Sequence, residues 1–287
     1  MKNSLKKIVF ISIISFCFFN IEKVNSIVPH YYFPTIKKLQ KESLSIGKNA
    51  YQLLYFGQYK DSLNLSQLAI KLNKTNEKLW LILSEAQVAN KQYKDGLKSL
   101  HHAEKINPNI SEIYFSKSNI YLQISQQEKA KIALEKGLKI EPNNHKAIFQ
   151  LANIILMEKK YLEAIKLFDK SVKIEPNFWQ AINNKGLAYF EKNNINLSIK
   201  SFEKAIAIED NAEPLLGLAS CLRIKDIEFA LQLAKKALAK NPNYVSYDYR
   251  KQQLWGEKLQ ISTEILLQND KLQKDVEMAR IKINASS

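Results

Sequence analysis

The chain of 287 residues holds only 7 Gly and 7 Pro, too few for the turns of a β-rich protein of this size. Its body is rich in Lys, Leu, Ile, Glu, Gln and Ala, most of which favour helices. The formal net charge of +15 admits an anionic partner, but only Arg223, Arg250 and Arg280 are arginines and the lysines are interleaved with glutamate, so a solvated polar face is expected and a nucleic-acid partner is not.

The N-terminal 26 residues form a unit of their own. Met1–Lys7 carries three lysines, Ile8–Phe19 is an uncharged apolar run, and Val24-Asn25-Ser26 offers small residues. That order is the one of a secretory signal peptide, with a retained N-terminal anchor as the alternative. The apolar run is shorter than the ~20 residues that span a bilayer. Cys17 falls inside it, behind a bulky Phe16 that argues against lipid attachment. The expected location is exported or membrane-associated, and membrane association would run through this segment. The stretch 27–42, with Pro29, Pro34 and three aromatics in Ile27–Thr35, is expected to be an extended lead into the rest of the chain.

From Ser43 onward the chain repeats itself. Near-identical phrases end at Pro108, Pro142 and Pro176, 34 residues apart, and Asp210 takes the next place in phase. Pro242 then closes a unit two residues short. A small residue recurs in the same phase at Ala50, Ser84, Ser118, Ala152, Gly186 and Ser220, with Trp80 and Tyr114 before it and Tyr121 and Tyr189 after it. Ala130 and Ala164, then Phe168 and Phe202, then Ala69, Ala103 and Ala205 mark the second half of each unit, and Tyr59, Tyr93 and Tyr161 recur in the turn. Small residues let two helices approach closely, and proline ends the second helix because it has no N–H to donate.

This pattern resembles the tetratricopeptide repeat (TPR) family, whose unit is a 34-residue helical hairpin. The resemblance covers 43–242 and implies an all-α, right-handed superhelical solenoid of six hairpins: 43–76, 77–110, 111–144, 145–178, 179–212 and the shortened 213–242. Ser66 replaces an aromatic in the first unit, and Lys117 and Lys185 stand where Leu often packs. One hairpin cannot bury its own apolar face, so hairpins stack and the last needs a cover. The segment 243–287 is expected to supply a capping helix, from Leu254 and Trp255 to Leu266, and a polar tail after Asn269 that frays.

No motif carries catalytic chemistry. His101 and His102 are neighbours about 100° apart on a helix, not the i, i+4 pair that grips a metal. Cys221 has no evident base and reads as a buried small apolar residue. No enzymatic activity, cofactor, metal or small-molecule substrate is expected. The family resemblance instead implies a protein or peptide client on the concave face, lined by the first helix of each unit. The residues it places there include Glu85, Phe115, Asn119, Phe149, Asn153, Asn183 and Phe190. The Asn amides would hold an extended backbone without reading its sequence, and the Phe rings would grip an apolar side chain. Packing remains the alternative role for the Phe rings. Phe115 and Phe149 also occupy places where a clamp for acidic C-termini would want Lys.

The phrases Phe178–Gly186 and Leu254-Trp255-Gly256 resemble TPR proteins of cyanobacteria and plastids, some of which help photosystem assembly or chlorophyll synthesis at the thylakoid. The resulting expectation is a scaffold or assembly factor at a periplasmic or thylakoid membrane. The alternative is a basic solenoid held on anionic lipid or nucleic acid by its lysines.

Overall fold

The computed structural model describes residues 34–286, so the expected signal segment and most of Ile27–Thr35 lie outside the described residues. Among these residues there are fifteen α-helices and no strand. Twelve form six consecutive antiparallel hairpins: α1 (Ile36–Tyr55) with α2 (Tyr59–Leu72), α3 (Glu77–Ala89) with α4 (Tyr93–Ile106), α5 (Ser111–Gln123) with α6 (Gln127–Ile140), α7 (His145–Met157) with α8 (Tyr161–Ile174), α9 (Trp179–Glu191) with α10 (Ile195–Ile208), and α11 (Ala212–Leu222) with α12 (Ile227–Lys240). Each hairpin packs on the next, which makes an open stack with no single central core.

The small residues of the repeat are buried where the helices cross. Ala50, Ser84, Ser118, Ala152 and Ser220 are at most 2% exposed. Opposite them the second helices bury Ser62, Gly96, Ala130, Ala164, Ser198 and Ala230. At three of the crossings a serine hydroxyl donates to a carbonyl on the other helix: Ser62 Oγ to Ala50 O at 2.7 Å, Ser84 Oγ to Gly96 O at 3.0 Å, and Ser198 Oγ to Gly186 O at 2.8 Å. These bonds allow serine in an apolar contact at little cost. Phe168 and Phe202 fill the space above the crossings and are fully buried.

The turns inside the hairpins repeat as well. Gly57, Lys91, Ser125, Lys159 and Asn193 stand 34 residues apart, and each has a positive φ between 58° and 73°. Around Lys91, its own N–H reaches Val88 O and the N–H of Gln92 reaches Gln87 O, both at 2.8 Å. The same pair of bonds recurs at each of the five turns. This is the Schellman ending, which satisfies the last carbonyls of the first helix. The sixth hairpin has no such residue. Its deletion falls mainly in α11, which has 11 residues against 13 in α3, α5, α7 and α9.

Lys117 and Lys185, which stand where leucine was expected, reach back to carboxylates of the preceding hairpin. Lys117 pairs with Glu104, and Lys185 Nζ lies 2.8 Å from Asp169 Oδ1.

Both ends depart from expectation. Helix α1 begins at Ile36, inside the stretch expected to be extended, and the Thr35 hydroxyl caps it by accepting from Lys38 N. After Lys240 the chain makes a 3-10 turn, Pro242–Val245, and three further helices, α13 (Tyr247–Gln252), α14 (Glu257–Leu267) and α15 (Gln273–Ser286). The tail expected to fray is therefore helical, because Leu272, Val276 and Ala279 are spaced to bury one face of it against the last hairpin.

A buried arginine holds this cap together. Arg250 is fully buried; its Nε donates to Gln260 Oε1 at 2.8 Å, one terminal nitrogen donates to Tyr244 O at 2.7 Å, and the other pairs with Glu264.

Candidate protein-binding cleft

The first helices of the hairpins line one side of the stack, and a cleft of about 450 Å³ opens there beside α7 and α9. Helix α7 contributes Phe149, Gln150, Asn153 and Met157; α9 contributes Trp179, Gln180 and Asn184. The third wall is the C-terminal segment. After α13 the chain crosses this side, and Gln252, Gln253 and Leu254 complete the cleft. Leu254 adopts φ +66°, a conformation that L-residues with branched side chains rarely take, at the bend that turns Trp255 inward.

Two residues fasten the segment. Trp255 Nε1 donates to Glu213 Oε1 at 3.1 Å. The Glu191 carboxylate accepts from Leu259 N at 3.0 Å and from Lys258 N at 3.4 Å, which caps the start of α14. Gly256 is required here: a Cβ on it would lie 2.2 Å from Glu191 Cδ.

The polar side chains of the cleft are joined across helices. Gln150 Nε2 donates to Asn119 Oδ1 at 2.9 Å, and Asn184 Nδ2 donates to Asn153 Oδ1 at 2.8 Å. Asn183 Nδ2 in turn donates to Asn184 Oδ1 at 3.1 Å. The cross-helix pairs are 31 residues apart, one repeat less three residues, which is the offset that sets a side chain beside the next hairpin's first helix. In both pairs the Asn carbonyl accepts, so the Asn119 and Asn153 amide N–H groups are the donors left for a ligand.

Glu213 lies in the floor. Burial pushes its carboxyl up to about 7, against hydrogen bonds from Trp255, Asn183 and Tyr244 that work in the opposite direction. No lysine or arginine lines the cleft. Its walls are therefore apolar and amide-bearing, with one acid that is protonated or ionised near neutrality. Such a lining suits an uncharged segment of chain.

The seven residues expected on this face do not act together. Phe149 and Asn153 line the cleft, with the Phe149 ring edge-on to Phe178 at 4.9 Å. Asn119 sits beside them through Gln150. Phe115 is a packing residue: its ring fills the place of a side chain at Gly137, where a Cβ would come within 2.4 Å of it. Asn183 is buried at 0% exposure, and Phe190, 7% exposed, packs in the core beside the cap and lines a second cavity with Ile199, Cys221 and Ile261, apart from the cleft. Glu85 is exposed on α3, away from the cleft. Gln150, Met157, Trp179, Asn184 and the 252–254 wall were missed. The 31-residue amide offset was a signal available in the repeat; the returning C-terminal segment left none, because it belongs to no repeat.

Other reactive groups are spoken for. Cys221 is buried, and burial pushes its thiol up to about 12. His102 stacks on Trp80 at 4.4 Å. Among the described residues no group of His, Cys, Asp and Glu is placed to hold a metal ion.

A tetratricopeptide repeat family model matches residues 111–144 and 180–211, which are two of the hairpins. The chain contains tetratricopeptide repeats. Solved structures share the fold along the stack. The PilF protein of Pseudomonas aeruginosa aligns with a TM-score of 0.64 at 14% identity, over 76% of this chain and 98% of that one. PilW, described as a widely conserved type IV pilus biogenesis factor, aligns with a TM-score of 0.59 at 18% identity, over 82% and 98%. YrrB, described as a TPR protein with an unusual peptide-binding site, aligns with a TM-score of 0.51 at 18% identity, over 70% and 98%. No curated protein matches this TPR chain in sequence.

Proposed function

We propose that this protein is a protein–protein interaction scaffold whose client enters the cleft between α7, α9 and the 252–254 wall as an extended, uncharged peptide. The observation that carries this reading is the lining itself: Met157, Phe149 and Trp179 beside a ladder of Asn and Gln amides, with no cation among them. Apolar anchors and amide donors serve main-chain recognition with loose side-chain demands. YrrB, a structural neighbour described as having a peptide-binding site, supports the class of partner. An acidic tail is disfavoured, because the cleft has nothing to pair with its carboxylates.

The narrower expectation of a role in photosynthetic assembly rests on short sequence phrases. Two of the residues behind it, Trp255 and Gly256, are accounted for by packing against Glu213 and Glu191. The cleft supports the class of client and not that pathway.

Selection from a displayed library of unstructured peptides tests the reading. Wild type should enrich uncharged sequences with spaced apolar residues. Met157 is 41% exposed in the cleft wall, so Met157→Glu should leave the melting temperature unchanged and weaken the selected peptides at least about ten-fold. Enrichment of acidic peptides, or equal binding by the variant, would remove the cleft as the site.

A further inference from the structure

The first helix of the stack carries a stripe unlike those at the same phase in later hairpins. Along α1, Lys37, Lys41, Leu44, Lys48, Tyr51 and Tyr55 recur at steps of three and four, which puts them on one stripe of the helix. Ser43, Gly47 and Ala50, on an adjoining face of the helix, are the ones α1 buries. All six stripe residues are exposed, Tyr55 to 85%. Phe56, 71% exposed, meets Tyr55 edge-on at 5.5 Å and extends the stripe into the turn. Three lysines lie on the stripe with no carboxylate, and among the described residues none of the three is in an ion pair. One repeat later the places of Leu44, Lys48, Tyr51 and Tyr55 are held by Lys78, Ile82, Glu85 and Ala89, so the aromatic and cationic character belongs to this end alone.

We infer that this stripe docks on the surface of an anionic lipid bilayer. Tyrosine and phenylalanine at the headgroup level, with lysines reaching anionic lipid, are the side chains an interfacial helix uses. Lysine near such a surface attracts it, and the attraction requires that no neighbouring carboxylate cancel it. The same chain supplies the second contact that stable attachment needs. The uncharged run Ile8–Phe19 ends 16 residues before α1, in Asn20–Thr35, a distance of at most roughly 55 Å along the chain. No described helix is long and apolar enough to cross a membrane, so the described part meets a bilayer through a surface. The stripe stands three repeats before Gln150, Asn153 and Met157 and shares their side of the stack, so the stack would meet the lipid at the N-terminal end of that side. This inference does not depend on what the cleft binds.

Flotation of the full chain with vesicles tests it. The protein is compared on phosphatidylcholine alone and on phosphatidylcholine mixed with phosphatidylglycerol, as wild type, as Lys37→Glu/Lys41→Glu/Lys48→Glu, and as Lys166→Glu/Lys170→Glu/Lys173→Glu on the exposed side of α8. Wild type should partition more strongly to the anionic vesicles. The α1 variant should lose that preference by at least about ten-fold, while the α8 variant should keep it. Circular dichroism melts should be alike for all three. Equal losses in the two variants, or no anionic preference in wild type, would overturn the inference. So would sedimentation showing that wild type self-associates and the α1 variant does not, which would assign the stripe to a second copy of the chain.

Discussion

Ser118 shows how closely one residue type is tied to its partner. Ser62, Ser84 and Ser198 sit at the helix crossings and donate across them, whereas the Ser118 hydroxyl is buried with no hydrogen-bond partner. A buried, unpaired hydroxyl lowers stability, so Ser118→Ala should raise it by about 1 kcal/mol in chemical denaturation, while Ser84→Ala should not. Glu213 is a second case. Its carboxyl titrates near 4.5 in the unfolded chain and at about 7 in the native one. Between those values the native state keeps a proton that the unfolded state has lost, so stability falls as pH rises through the window and levels off above it. The shift corresponds to roughly 3 kcal/mol. Glu213→Gln keeps the acceptor for Trp255 and removes the titration, so the variant should be more stable than wild type at pH 8 and nearly flat from pH 5 to 7. A wild-type profile without that fall would show that Glu213 is not held in a dry site. The sequence marked the small sites through their period; it did not mark Glu213, whose burial depends on a segment folding back from about 40 residues away.

At the scale of elements, the six hairpins were legible because each is specified locally. The first helices of four successive hairpins begin at Glu77, Ser111, His145 and Trp179, 34 residues apart. The turns were less so. Glycine is the residue suited to positive φ, and only Gly57 announces the turn; Lys91, Ser125, Lys159 and Asn193 take the same conformation under the compulsion of the Schellman bonds. Lys159→Gly should therefore raise the melting temperature, with a gain of about 0.5–1 kcal/mol, and Lys159→Val should lower it. No change in either would mean the turn carries no strain. The cap was read as one helix and a loose tail because its defining contact is single and long-range: Arg250, one of three arginines in a lysine-rich chain, draws Gln260, Glu264 and Tyr244 O around it.

At the scale of the molecule, the two ends of the stack are finished differently. The C-terminal end is covered by α13, α14 and α15, and in crossing the stack the chain supplies one wall of the cleft. Along α1, by contrast, lysines and aromatics are exposed. A repeat pattern gives the concave face in outline, which is why Phe149, Asn153 and Asn119 were legible. It does not say where that face is interrupted, which is why Asn183, fully buried, and Phe190, on a separate cavity, do not join Phe149 and Asn153 in the cleft. The cleft is thus a product of both repeat and cap, and a client bound in it must touch both. Hydrogen exchange on the full chain, with and without a peptide selected on wild type, tests this most directly. Exchange should slow in α7, α9 and the Gln252–Leu254 segment together, with α2, α4 and α6 unchanged. Protection confined to the second helices of the hairpins, or protection of α7 and α9 with residues 252–254 released, would contradict it.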